Sequence, residues 1–143
     1  MLWNDSYKTG VDVIDLQNFE IVASIREMMQ FEDNKKRLTQ LEVFEELVKK
    51  YFEREEKLHD ECGFDAYLHR ISHEIYINAL QQIKRNFEKT GTTMENEKFF
   101  RTNVVEFFKK HIKSHDMCFA YFYRNNILYK NVNVKNQLIA KAC

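Results

Sequence analysis

Proline is absent from all 143 residues of the chain, and glycine occurs only three times. Proline ends or kinks a helix because it lacks an N–H and its ring clashes with the preceding turn. A chain without it can run long uninterrupted helices, which disfavours all-β and loop-rich classes. Apolar residues recur at helical spacing in four segments. The first, over 11–31, carries Ile14, Asn18, Ile21, Ile25 and Met28 on one stripe. The second, over 35–58, aligns Leu41, Phe44, Val48, Tyr51 and Glu55. The third, over 65–89, aligns His69, His73, Tyr76, Leu80, Ile83 and Phe87. The fourth, over 94–116, aligns Phe100, Val104, Phe107, Phe108 and His111, and a shorter segment over 118–129 follows. Gly63 and Gly91 stand where a helix hands over to a left-handed residue. Long helices with short connections predict an all-α, up-down-up-down four-helix bundle with a short C-terminal helical segment.

Length supports a single domain over 1–143. Lys plus Arg and Asp plus Glu each number 22, giving a formal net charge of zero. No nucleic-acid partner is expected, because such a surface needs a basic excess. The three cysteines, Cys62, Cys118 and Cys143, are odd in number and lack CxxC spacing. That argues against a disulfide framework or a cysteine-based zinc site and favours a reducing cytoplasm. The first ten residues do not read as a signal peptide, and no run of about 18 apolar residues predicts a membrane span.

Glu55, His69, His73 and His111 interrupt stripes that should face the core. A buried carboxylate or imidazole without a partner costs several kcal/mol. Taken singly, each reads as a hydrogen-bonded core polar residue. As a set they read differently. His69 and His73 are four apart, so both rings leave one face of one helix. His111 approaches from another helix. Imidazoles and carboxylates from facing helices are how a bundle holds a metal. The donors suit iron, manganese or zinc, and the spacing alone does not choose among them.

These residues also form motifs. Trp3-Asn-Asp-Ser-Tyr7 leads into Gly10-Val11 and then Ile14-Asp15-Leu-Gln17-Asn18. Tyr51-Phe52-Glu53-Arg54-Glu55-Glu56 follows, then His69-Arg-Ile-Ser-His73, then Phe107-Phe108-Lys-Lys-His111-Ile112-Lys-Ser-His115-Asp116. In this order they resemble the hemerythrins, specifically the bacterial hemerythrin-like proteins, over nearly the whole chain. The resemblance implies a four-helix bundle with a non-haem di-iron centre that binds dioxygen. It assigns His69, His73 and His111 to the first iron, with Glu55 and Asp116 as bridges. The two further histidines that the second iron takes in the family are replaced here by Asn18 and Tyr51.

Each replacement has two readings. Asn18 offers a weak amide oxygen to a metal, or a hydrogen bond to metal-bound water. Tyr51 offers a phenolate, which favours ferric iron, or packs in the core with its hydroxyl satisfied by Glu55 or water. His59, four residues after Glu55, is a substitute nitrogen ligand or a partly solvated residue near the helix end. His115, four after His111, faces the site better than Asp116 on a straight helix, yet the resemblance favours Asp116. Glu53, Glu56 and Glu74 read as solvated helix faces, and Trp3 and Tyr7 as packing over the bundle end.

The resulting expectation is an iron-binding protein with a modified di-iron or mononuclear centre. It would bind or sense O2, peroxide or nitric oxide and be a poor reversible O2 carrier. Alternatives are an iron-dependent peroxidase or oxidase and a metal-free structural bundle. A monomer or a weak homodimer through Tyr121 and Phe122 is expected, with no membrane partner and no fused signalling output.

Overall fold

The computed structural model describes residues 1 and 3–128. A 3-10 turn (Asp5–Tyr7) precedes three helices: α1 (Asp12–Met28), α2 (Asn34–Cys62) and α3 (Tyr67–Thr90). A fourth rod then runs unbroken over 94–128, alternating α segments with π segments at Arg101–Glu106, Ile112–Asp116 and Arg124–Leu128. The described residues form no strand.

Local chemistry sets the helix ends. Asp33 caps α2 by accepting the Lys36 N–H at 2.8 Å, and Thr93 caps the fourth rod through the Asn96 N–H. Gly63, at φ 69°, turns the chain out of α2 in the left-handed region that L side chains avoid. Helix α2 runs four residues beyond the expected Leu58, carrying His59 and Cys62 into the bundle. The segment expected to stand apart after 116 instead continues the fourth rod, since Met117 keeps helical angles. Its last expected residue, Tyr129, lies outside the described residues. Cys62 is a free thiol.

Cross-helix contacts give the topology. His59 meets His69, Phe52 meets His73, and Lys84 pairs with Glu42, so α2 and α3 are antiparallel. His69 meets His115 and Phe87 meets Phe100, so the fourth rod is antiparallel to α3. Asn18 bonds Asp116 while Val11 and Ile14 pack with Phe119 and Ala120, so α1 closes the bundle antiparallel to the fourth rod.

The apolar core is divided in two. A large cluster, including Ile25, Phe44, Tyr76, Phe87 and Phe108, fills one end. A smaller one of Val11, Ile14, Phe119 and Ala120 fills the other, backed by Leu58, Phe64 and Phe122. Phe122, expected as an exposed dimer aromatic, packs on Phe64 with ring centroids 5.1 Å apart and plugs this end. Between the clusters lies a buried polar layer. Among the described residues no helix is long and apolar enough to cross a membrane.

Asp15 ties the leading segment to α1. Its Oδ1 accepts the Thr9 N–H at 2.6 Å and the Thr9 hydroxyl at 2.8 Å, and its Oδ2 accepts the Gly10 N–H at 3.1 Å. Thr9 is fully buried, so its two donors have no solvent alternative. Hydrogen bonds to a charged group contribute about 1.5–3 kcal/mol each and are not additive. Asp15→Ala is therefore expected to lower stability by about 2 kcal/mol, read as a lower urea midpoint at unchanged slope. An unaltered midpoint would show that the clamp contributes nothing.

Candidate metal centre

Three helical elements deliver four buried donors. Glu55 comes from α2, His69 and His73 from adjacent turns of α3, and His111 from the fourth rod. One ligand atom from each lies within 4.8 Å of all the others. The imidazole Nε2 atoms of His69 and His111 are 3.1 Å apart. Glu55 spans the group: its Oε2 lies 3.6 Å from His73 Nε2, and its Oε1 lies 3.8 Å from His69 Nε2.

Asp116 joins this layer from below. Its Oδ1 is 2.8 Å from His111 Nε2 and 3.2 Å from His69 Nε2. Five residues separate His111 from Asp116, a spacing that leaves the face of an α-helix. Residues 112–116 are a π segment, in which bonding runs from i to i+5. The π turn brings Asp116 under His111 and fully buries it, while His115 is displaced to the margin, half-buried, 5.2 Å ring to ring from His69.

A second layer orients these donors. Glu56, expected on a solvated face, instead accepts a hydrogen bond from His73 Nδ1 at 2.8 Å. Ser72 Oγ lies 2.9 Å from His111 Nδ1. With Nδ1 engaged in both rings, each Nε2 is directed inward. Phe52 stacks on His73 at 3.7 Å and 9°, fixing the ring plane. Asn18 donates its side-chain N–H to Asp116 Oδ2 at 2.6 Å, leaving Oδ1 to face the imidazoles. Tyr51 packs in the large apolar cluster under the Arg54 guanidinium.

Sequence reasoning missed Glu56 and Ser72. A signal was present: Glu56 neighbours Glu55 on a helix facing α3, and Ser72 precedes His73. His59, expected to be partly solvated, is fully buried. The extension of α2 past Leu58 carries it beneath Phe64 and Phe119.

Burial and the Asp116 charge push the Glu55 carboxyl up, but the surrounding imidazoles of His59, His73 and His69 outweigh them and hold it at about 2. Burial likewise opposes Asp116, yet His111 and His69 hold it well below the usual carboxylate range. Burial lowers His69 to about 4, more than its carboxylate neighbours restore. Burial also lowers His73, but Glu55 and Glu56 win and raise it to about 8. Glu55 and Asp116 therefore stay anionic and His69 neutral at neutral pH, which are the forms that bind metal.

The donors fit a cation. Glu55 Oε1, His73 Nε2 and Asp116 Oδ1 are buried and have no hydrogen-bond partner. Buried polar atoms are ordinarily paired, and orphaned ones within a layer of imidazoles and carboxylates mark a place that positive charge satisfies.

The metal-free protein should have a stability maximum near pH 6.5. From about pH 4 to 6.5 the unfolded chain binds a proton at His69 that the folded chain refuses, so stability rises with pH. From 6.5 to about 8 the folded chain keeps a proton on His73 that the unfolded chain has released, so stability falls. Urea midpoints measured in chelator across this range should rise and then fall. A monotonic rise through pH 8 would contradict the His73 assignment.

Comparison with known proteins places this geometry in context. The chain is 27% identical over 124 residues to a bacteriohemerythrin of Stenotrophomonas maltophilia (strain R551-3), covering 84% of the chain and 79% of that relative. It is 30% identical over 92 residues to a bacteriohemerythrin of Pseudomonas aeruginosa (strain LESB58), covering 62% of the chain and 60% of that relative. The same identity and coverage hold for a bacteriohemerythrin of Pseudomonas paraeruginosa (strain DSM 24068 / PA7). No family model matches the chain, and no solved structure does. Similarity along most of the sequence to proteins of this name, on an all-helical bundle with an internal imidazole–carboxylate cluster, supports a hemerythrin-like family assignment.

Proposed function

We propose that the cluster is a non-haem iron centre through which the protein binds or senses O2 or a related small species such as peroxide or nitric oxide. His69, His73, His111, Glu55 and Asp116 hold the iron. The observation that carries this reading is the convergence of buried, inward-facing donors with unpaired lone pairs between two apolar clusters. Imidazole and carboxylate together suit iron, manganese and zinc, and the bacteriohemerythrin relatives favour iron among these. Bound there, iron supplies an open coordination position and a one-electron redox couple.

The chain's own residues prepare the site. Glu56 and Ser72 engage the Nδ1 sides of His73 and His111, so that each Nε2 is directed into the cluster. The large cluster and the Phe64–Phe119–Phe122 plug exclude bulk water from both ends. Asn18 spends its amide N–H on Asp116, which supports a positioning role over direct ligation. With Asn18 and Tyr51 at the two positions where the family places histidines, the second metal position is poor in nitrogen. That supports a weak reversible carrier. Protein loaded with ferrous iron and exposed to O2 should not regain its starting visible spectrum under vacuum. Full recovery over repeated cycles would overturn the poor-carrier reading.

Removing a ligand tests the centre itself. His73→Ala is expected to cut iron per chain at least tenfold and abolish the rise in melting temperature that iron gives the wild type. Wild-type iron content in this variant would sink the proposal. Glu56→Gln, which leaves His73 Nε2 in place, is expected to weaken iron binding by about 10–100-fold without emptying the site. Competition against a chelator reads that change.

A further inference from the structure

We propose that His59 donates a ring nitrogen to a second metal position on the Oε1 side of Glu55, so that this carboxylate divides its two oxygens between two ions. The inference rests on the iron-centre reading above and extends it.

His59 is fully buried, and neither Nδ1 nor Nε2 has a hydrogen-bond partner. Its ring sits against Phe64 at 5.3 Å, edge-on to Phe119 at 4.3 Å, and 4.6 Å from the His69 ring. A neutral imidazole carries one donor and one acceptor. Each left unmade in the interior costs about 1–3 kcal/mol, which an apolar side chain of similar size would avoid. The closest charged atom to Nε2 is Glu55 Oε1, at 3.7 Å, too far for a hydrogen bond and itself unpaired.

That spacing has a chemical meaning. Two donors each about 2.0–2.2 Å from one ion, at tetrahedral angles, stand roughly 3.3–3.6 Å apart. The gap from His73 Nε2 to Glu55 Oε2, 3.6 Å, is of this kind. The gap from His59 Nε2 to Glu55 Oε1, 3.7 Å, is within 0.1 Å of it on the opposite oxygen. His59 is not among the four residues whose donors lie mutually within 4.8 Å and stands to one side of that group. The geometry therefore points to a separate position. It has Glu55 Oε1 and His59 Nε2 as protein donors and its remaining directions open to water or a small ligand. With fewer protein donors, it binds more weakly than the first.

Anaerobic titration with ferrous iron, read by elemental analysis, tests this on the full chain. The wild type is expected to take up two ions, the second at least tenfold more weakly than the first. His59→Leu should lose the weaker ion and keep the first within about threefold of wild-type affinity. Its metal-free melting temperature should hold or rise, because two unmade hydrogen-bonding groups are gone. A wild type that holds a single ion, or a His59→Leu protein that holds two with unchanged affinities, would overturn the inference while leaving the centre intact. A wild type that holds none would overturn both. If His59→Leu does not fold, counting imidazoles bound to metal in the wild type by pulsed electron paramagnetic resonance decides: four per chain supports the assignment and three overturns it.

Discussion

The structure turns on a carboxylate buried in the middle of the bundle. Glu55 sits within a buried layer among imidazoles from α2 and α3, with its Oε1 unpaired. A charge in that position is tolerable only if cationic or hydrogen-bonding partners surround it. That need draws His69 and His73 to the interior face of α3 and His111 to the interior face of the fourth rod. The flanking apolar clusters lower the local dielectric and so raise the cost of leaving any of these atoms unmatched. The bundle's packing and its site are one constraint seen from two sides.

The π turn at Ile112–Asp116 shows how far the backbone bends to that constraint. A regular α-helix would direct His115 inward and Asp116 away. Widening one turn exchanges them and gives the site a second anion in place of another neutral ring. Tyr76, one helix over, places its hydroxyl 3.4 Å from the Val104 carbonyl in another π segment of the rod, Arg101–Glu106. In both places a side chain lies beside a stretch where the regular i→i−4 ladder is altered.

Much of this was legible in the sequence, because helix period and ligand spacing are local properties. The stripes of α1, α2 and α3, the pair His69 and His73, and the convergence of His111 all follow from residues three, four and seven apart. What was not legible depends on tertiary context. Glu56 looks solvated by period alone and becomes a hydrogen-bond acceptor only because α3 packs beside it with His73 turned toward α2. The burial of His59 depends on aromatic residues from the following loop and the fourth rod, Phe64 and Phe119. The preference for Asp116 over His115 could be taken from resemblance but not from straight-helix geometry, since a π turn leaves no periodic signature over five residues.

Charge balance connects these features. Glu55 and Asp116 together bring two negative charges to the inner layer, and His69 is held neutral by burial. One divalent ion neutralises that set. A second divalent ion leaves an excess of positive charge in a low-dielectric cavity, which disfavours it unless an anion accompanies it. Asn18, lacking charge and engaged with Asp116, does nothing to offset the excess. Hydroxide, peroxide or superoxide arriving with or after the second ion would restore neutrality. In the proposed two-ion arrangement the first position would be neutralised by the protein's own carboxylates, whereas the second would need an accompanying anion.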